Sequence, residues 1–186
     1  MSKLKQQQAR KISLSGVVQG VGFRPFIYRH AQTYKLQGWV RNSSGRVEVH
    51  VQGEPRYLDK FVNTLVKSAP SLSQPILESV NKTDCSDSNE FLILPSLADA
   101  EADIHLPADL FTCDDCLQEL NDPKNRRYRY PFINCTQCGP RYTLIKSLPY
   151  DRPNTSMSGF PLCTACDAEY TDPSNRRYHA EPVACA

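Results

Sequence analysis

One segment near the start of the chain has the residue types of an anion-binding loop. It runs Gly16-Val-Val-Gln-Gly-Val-Gly-Phe-Arg24 and joins a β-branched stretch to a helical pattern. Glycines let the backbone turn tightly, and successive N–H groups at a helix start can surround an anion. The guanidinium of Arg24 adds planar donors that fit phosphate oxygens. The segment therefore predicts a site for phosphate or an acyl phosphate, with these phosphate-binding residues: Gln19, Gly20, Val21, Gly22, Phe23 and Arg24.

The same loop lacks the features of two other phosphate chemistries. No Gly-Lys-Ser/Thr follows its glycines, so it is not a nucleotide loop of the Walker type. It has no cysteine nucleophile, so attack has to come from water. Asn42, in the predicted turn after the second strand, is the candidate to hold that water, because its amide both donates and accepts hydrogen bonds. Arg24 and Asn42 are thus the predicted catalytic residues. The alternative is a tight turn in which Arg24 is only a surface charge.

Cysteines form the second chemical feature of the chain. Seven of the eight follow residue 112, mostly in CxxC pairs. The polar N-terminus is not that of a signal peptide, and without an export signal this pattern favours metal over disulfides. Two CxxC pairs separated by 18 residues can place four thiolates around one tetrahedral Zn²⁺. The predicted ligands of this structural zinc site are Cys113, Cys116, Cys135 and Cys138.

The cysteine-rich segment is predicted to be a duplication, because residues recur at an offset of fifty positions. Asp122-Pro-Lys-Asn-Arg-Arg-Tyr128 is matched by Asp172-Pro-Ser-Asn-Arg-Arg-Tyr178. The fourth ligand of the second module would fall at position 188, so we expect a labile second zinc site, truncated in this chain. His179 is the nearest substitute, although the first module has Arg129 at the equivalent place. The predicted metal ligands of the second module are Cys163, Cys166 and Cys185.

The elements that must position the loop are those of an α/β sandwich. In one predicted strand Val47, Val49 and Val51 alternate with polar residues, which is typical of a half-buried strand. Pro55 suits the first turn of a following helix. The complete order is βαββαβ, a ferredoxin-like α+β fold. Its predicted elements are a strand at Ile12–Val18, a helix from Phe23, strands from Trp39 and at Val47–Val51, a helix from Pro55, and strands at Ile76–Val80 and Phe91–Leu94.

Composition sets the domain organisation and excludes some partners. Residues 95–107 have the composition of a linker, so we predict an α+β domain at 10–95 and a small zinc-finger segment at 108–186. The net charge is only +2, so we interpret the two Arg-Arg pairs as solvated or packing loops and consider a nucleic-acid partner unlikely. No apolar run approaches the roughly 20 residues that cross a bilayer. We therefore expect a cytoplasmic protein without a membrane partner.

Two segments of the first half resemble the signatures of acylphosphatases. Gly16-x-Val-Gln-Gly-Val-x-Phe-Arg24 is similar to the first signature. Gly38-Trp-Val-x-Asn42-x4-Val47 is similar to the second, apart from local spacing. The resemblance implies that Arg24 binds the phosphoryl group and that Asn42 orients the attacking water. The implied reaction converts an acyl phosphate and water to a carboxylate and phosphate.

The acylphosphatase-like half followed by the duplicated cysteine pattern resembles the N-terminal part of HypF-type carbamoyltransferases, which mature nickel–iron hydrogenases. The resemblance implies carbamoyl phosphate as the substrate and a HypE-type protein as the acceptor of the carbamoyl group, which becomes the cyanide ligand of the hydrogenase iron. The later domains of that family lie outside this sequence. We therefore expect cleavage of carbamoyl phosphate to be the only step that these residues support.

Two other hypotheses stay open at this stage. The first is a general acylphosphatase fused to a zinc-finger binding module, which substrate preference among acyl phosphates would distinguish. The second is a zinc protein that interacts with a partner and whose loop binds phosphate without turnover.

Overall fold

The computed structural model describes residues 7–97, 109, 111–148 and 150–185. The chain divides into two units, the first being Met1–Val18 with Phe23–His105 and the second Gln19–Gly22 with Leu106–Ala186. Of the predicted linker at 95–107, only residues 95–97 are among those described. The domain limits of 10–95 and 108–186 therefore stay a prediction.

A five-stranded sheet forms the centre of the first unit. Its strands are β1 (Gln8–Val17), β2 (Gln37–Ser43), β3 (Arg46–Gly53), β4 (Gln74–Thr83) and β5 (Phe91–Ile93). They lie in the order β4-β1-β3-β2-β5, and all neighbours are antiparallel except β2 with β5. Helix α1 (Phe23–Thr33) follows β1, and helix α2 (Pro55–Leu65) follows β3. The predicted α+β class and βαββαβ order are confirmed, and the strand predicted at Phe91–Leu94 is present as β5, a seventh element at the edge of the sheet.

Each helix buries one apolar stripe against the sheet. Helix α2 begins with Pro55 at its first position, as predicted, and contacts β1 and β3. Burying a large apolar side chain contributes about 1.5–3 kcal/mol, so these stripes supply much of the stability of the unit. The buried residues are Phe23, Pro25, Ile27 and Ala31 in α1 and Leu58, Phe61 and Leu65 in α2.

The polar face of β3 is more buried than its alternating pattern predicts. His50 and Gln52 are only 8% and 2% exposed. The segment after β4 covers them: His50 Nε2 lies 3.1 Å from the carbonyl oxygen of Asp84, and Gln52 exchanges two hydrogen bonds with Ser86. The prediction of a half-buried strand is therefore wrong, because a later segment covers these side chains and pairs with His50 Nε2 and the Gln52 amide.

The turn between β2 and β3 is shorter than predicted. Only Ser44 and Gly45 lie between the strands, and both have positive φ, +49° and +78°. Such a two-residue connection suits a tight antiparallel hairpin. Asn42 lies inside β2, paired in register with Val47. The prediction that Asn42 is a turn residue is wrong, and its side chain instead has the fixed orientation of a strand position.

The second unit confirms the duplication. Helices α3 (Asp114–Asn121) and α4 (Thr164–Thr171) each begin after the first cysteine of their module. The backbone turns that follow are also the same, since Arg129 and His179 both have left-handed φ values, +58° and +48°. Both residues donate their backbone N–H to the last turn of the preceding helix, to Leu120 and Tyr170 respectively. The two modules therefore fold alike.

A buried cation holds the connection between the modules. Arg152, in one of three short 3₁₀ turns, is only 9% exposed. Its guanidinium donates to the carbonyl oxygens of Glu181, Val183 and Phe160 at 2.5, 2.8 and 2.8 Å. Because a buried charge is costly unless it is hydrogen-bonded, these bonds specify the path of the connection. Among the helices of the described residues, none is long and apolar enough to span a membrane.

Candidate phosphate site and metal centres

The segment between β1 and α1 has the backbone of an anion-binding loop. Gly20 and Gly22 have φ values of +69° and +72°, which glycine adopts without strain. Val21 and Phe23 point into the protein and are almost fully buried. Among the described residues, the backbone N–H groups of Gln19–Gly22 donate no hydrogen bond. The loop is thus anchored by its apolar side chains and leaves backbone donors available for a ligand.

Arg24 lies in the first turn of α1, directly after this loop. It is half-buried, and its Nη1 donates to the hydroxyl oxygen of Ser96 at 3.2 Å. Ser96 follows β5 and is 72 residues away in the chain. Sequence reasoning missed it, because a serine in a linker-like stretch has no local pattern that connects it to a distant arginine.

Asn42 has an unsatisfied amide oxygen. The residue is 5% exposed, and among the described residues its Oδ1 has no hydrogen-bond partner. Leaving a buried polar atom unpaired costs about 1–3 kcal/mol, so such an atom in a native protein calls for a partner from outside the chain, such as an ordered water molecule or a ligand. An amide oxygen in this state is suited to accept a hydrogen bond from a bound water molecule.

Two consecutive residues connect Arg24 and Asn42. Ser96 accepts from the Arg24 guanidinium, and the backbone N–H of Leu97 donates to the carbonyl oxygen of Asn42 at 3.0 Å. Ser43 and Leu97 form an additional parallel bridge. The structure therefore brings the start of α1 and the end of β2 to the same short segment, although the two residues come from different elements.

Four buried thiols of the first module are arranged as a metal site. The sulfur atoms of Cys113, Cys116, Cys135 and Cys138 all lie within 4.8 Å of one another. Cys135 Sγ is 3.6 Å from Cys113 Sγ and 3.7 Å from Cys138 Sγ. Tetrahedral zinc with bonds of about 2.3 Å requires sulfur atoms about 3.8 Å apart. The donor set and its spacing therefore fit a structural zinc ion.

The second module brings three thiols together. Cys163, Cys166 and Cys185 have sulfur atoms within 4.8 Å of one another, and Cys163 Sγ lies 3.7 Å from Cys185 Sγ. His179 is not part of this group, since its ring lies with the carboxylates of Asp151 and Glu181. The hypothesis that His179 substitutes for the fourth thiolate is not supported by this arrangement.

The arginine pairs of the duplicated blocks are packed rather than solvated. The side chains of Arg127 and Arg177 are only 3% and 4% exposed. Glu119, in α3, accepts hydrogen bonds from Arg176 and Arg177. Burial alone would raise the pKa of Glu119, but these two guanidinium groups together hold that pKa below its usual value. Of the two interpretations of these loops, packing is the correct one.

Comparison with known proteins defines the class of the first unit. Residues 10–92 match the family model for acylphosphatase, and residues 112–145 and 162–186 match the model for the HypF finger. An acylphosphatase of Chlorobaculum tepidum is 40% identical over 85 residues, which are 45% of this chain and 91% of that protein. The chain belongs to the acylphosphatase family and carries a HypF finger after its acylphosphatase domain.

Longer relatives combine the same parts. Carbamoyltransferase HypF2 of Cupriavidus necator is 49% identical over 157 residues, 82% of this chain. A crystal structure of full-length HypF in the phosphate- and nucleotide-bound form matches with a TM-score of 0.89 and 45% identity, over 100% of this chain and 24% of that one. The chain spans 19% of the length of HypF2. It thus corresponds to the N-terminal region of HypF carbamoyltransferases.

Proposed function

We propose that this chain hydrolyses carbamoyl phosphate, as part of the carbamoyl transfer that supplies the cyanide ligand in nickel–iron hydrogenase maturation. The observation that carries the proposal is the connection of Arg24 and the unsatisfied Asn42 through Ser96 and Leu97. The choice of carbamoyl phosphate among acyl phosphates rests on the similarity to relatives named carbamoyltransferase. The alignment with one of them covers 82% of this chain, so it includes parts of both the acylphosphatase domain and the finger.

The reaction needs a bound phosphoryl group and an oriented water molecule. The backbone donors of Gln19–Gly22 and the guanidinium of Arg24 bind the phosphoryl oxygens. Asn42 Oδ1 accepts a hydrogen bond from water and directs its lone pair at the phosphorus atom. A new P–O bond forms, the P–O bond to the carbamoyl group breaks, and carbamate leaves with the electron pair while the water proton is lost. Positioning and charge stabilisation supply the rate enhancement.

Hydrolysis of carbamoyl phosphate in ¹⁸O-labelled water tests this proposal. We expect catalysed phosphate release, with ¹⁸O in the phosphate because water attacks phosphorus. Asn42→Ala should lower kcat by about 10²-fold with a smaller effect on KM, since it removes the group that orients water. Asn81→Ala, on the exposed face of β4, is the matched control and should retain the wild-type rate.

A substrate panel separates the proposal from its two rivals. Carbamoyl phosphate should have a higher kcat/KM than acetyl or benzoyl phosphate. Equal or better turnover of the other acyl phosphates would favour a general acylphosphatase, which the similarity to the Chlorobaculum tepidum protein makes the second candidate. Phosphate binding without any catalysed release would favour a domain that binds without turnover.

We propose further that the two cysteine clusters hold structural zinc. The first cluster, Cys113, Cys116, Cys135 and Cys138, supplies a full set of thiolates, and the match to the HypF finger supports the same metal in the second. Zinc there would crosslink the short helices of a unit that has little apolar core. By resemblance, the acceptor of the carbamoyl group is a HypE-type protein and the location is cytoplasmic.

Zinc content and its removal test the metal proposal. Protein purified without chelator is expected to contain about one tightly bound zinc per chain, because one thiolate set is complete. Chelator should loosen the second unit and leave the first folded. Trp39, the single tryptophan of the chain, lies in β2 and reports the first unit by fluorescence. Protein without zinc, or a second unit that keeps its circular dichroism in chelator, would contradict the proposal.

A further inference from the structure

Each arginine pair of the finger contacts side chains of the other cysteine module. Arg126, in the first module, donates to Cys166 Sγ of the second module at 3.1 Å. Its neighbour Arg127 donates to the same sulfur at 3.4 Å. Both guanidinium groups also form an ion pair with Glu169, at 2.6 and 2.5 Å. The first module therefore provides cations to the thiol cluster of the second.

The reverse contacts repeat this arrangement. Arg176, in the second module, donates to Cys116 Sγ of the first module at 3.1 Å. Arg176 and Arg177 both pair with Glu119, on α3. Each glutamate follows the second cysteine of its own module by three residues. It therefore holds the arginines of the other module beside that cysteine. The bonds of Arg126 to sulfur and of both arginines to glutamate thus recur with the two modules exchanged, while the contact of Arg127 with Cys166 has no counterpart at Arg177.

The contacts between arginine and sulfur would offset the negative charge of a zinc–thiolate site. Four thiolates around Zn²⁺ carry a net charge of −2, and three thiolates around it carry −1. Buried negative charge is costly unless it is paired and hydrogen-bonded. N–H···S bonds from a guanidinium compensate this charge, and such outer contacts orient the ligands and tune metal affinity. Arginine is suited to the role because one side chain can donate to a sulfur atom and a carboxylate together.

We propose that the arginine pair of each module slows the release of zinc from the other module, so that the two zinc sites are coupled. Arg126 and Arg176 are the positioning residues of the site that they contact, not of the module that contains them. Loss of one module's fold withdraws the cations from the other site. The finger thus acts as one metal-binding unit made of two interdependent halves.

Metal release followed cysteine by cysteine tests this coupling. The zinc-loaded 186-residue chain is mixed with excess chelator and N-ethylmaleimide, and alkylation of each cysteine is timed by peptide mass spectrometry. Arg176→Ala should accelerate alkylation of Cys113 and Cys116 by about tenfold or more, with a smaller effect on Cys163 and Cys166. Arg126→Ala should give the opposite pattern. Lys124→Ala removes an exposed charge from the same block and should leave both rates unchanged.

The pattern of release decides the proposal. An effect of Arg176→Ala confined to its own module, or equal at both modules, would overturn it. If Arg176→Ala does not fold, Arg176→Lys keeps the charge but not the planar donors, and it should show the same crossed pattern with a smaller change. Wild-type protein that contains no zinc defeats the metal proposal as a whole. Zinc-loaded protein without the crossed pattern defeats only the coupling.

Discussion

Replacing Arg24 by alanine is expected to lower kcat/KM for carbamoyl phosphate by roughly 10³-fold. The side chain is the cation closest in sequence to the phosphate loop, and its charge-assisted donors strengthen as negative charge accumulates on the equatorial oxygens of the transition state. Single donors and arginines at comparable positions are worth about 10²- to 10⁵-fold. Steady-state phosphate release, corrected for spontaneous decomposition of carbamoyl phosphate, measures the effect.

Three variants define the origin of this loss. Arg24→Lys keeps the charge but loses the planar donors, so its activity should lie between wild type and Arg24→Ala. Ser96→Ala removes the hydroxyl that accepts a hydrogen bond from Arg24. It should lower kcat by less than Arg24→Ala does and should change the free energy of unfolding little. Arg56→Ala removes an exposed charge that pairs with Glu54 and is the control. Wild-type turnover by Arg24→Ala would reject the catalytic role of this loop.

Replacing Gly38 by alanine is expected to prevent stable folding of the first unit. Gly38 lies in β2 opposite Val51 and has φ of +133°. A Cβ atom there would overlap the carbonyl oxygen of His50 and lie 2.9 Å from its carbonyl carbon, and both are backbone atoms of β3. Strands cannot separate locally without breaking their ladder. We expect a loss of more than about 4 kcal/mol, which is most of the stability of a small domain.

A series of glycine variants provides the controls. At Gly53 an added Cβ would meet the end of the flexible Leu36 side chain, 2.6 Å away, so Gly53→Ala should cost about 1–3 kcal/mol. At Gly159 nothing lies within 4 Å, and Gly159→Ala should change stability by less than about 0.5 kcal/mol. Urea unfolding followed by Trp39 fluorescence measures the stability of Gly38→Ala and Gly53→Ala. Urea unfolding followed by circular dichroism measures that of Gly159→Ala. A Gly38→Ala midpoint equal to wild type would contradict the observed register.

The sheet and helices were predictable because their signals are local. Alternation in Val47, Val49 and Val51, and Pro55 at a helix start, depend on neighbours only a few positions apart. The location of Asn42 was not predictable to the residue, since turn-forming residues extend into β2 and only pairing with β3 decides where the strand ends. His50 and Gln52 looked solvent-facing because the covering segment, 84–88, comes more than thirty residues later.

Short-range spacing also predicted both thiol clusters, because a metal ion requires ligands at distances that CxxC turns provide. It could not show that Arg126 contacts Cys166 and that Arg176 contacts Cys116, since those contacts span 40 and 60 positions. The repeat offset marked these residues as equivalent without indicating that they exchange partners.

The amino-acid sequence by itself determined which groups are candidates for chemistry: a glycine loop with Arg24, an amide at Asn42, and cysteine thiols in pairs. These features depend on residue type and on the geometry of a few adjacent peptide units. Only the tertiary structure decided which groups lie together, because Ser96 contacts Arg24, and Arg126 and Arg176 contact the opposite cysteine cluster, through packing between distant segments. Such contacts arise from the whole fold, and no local pattern encodes them.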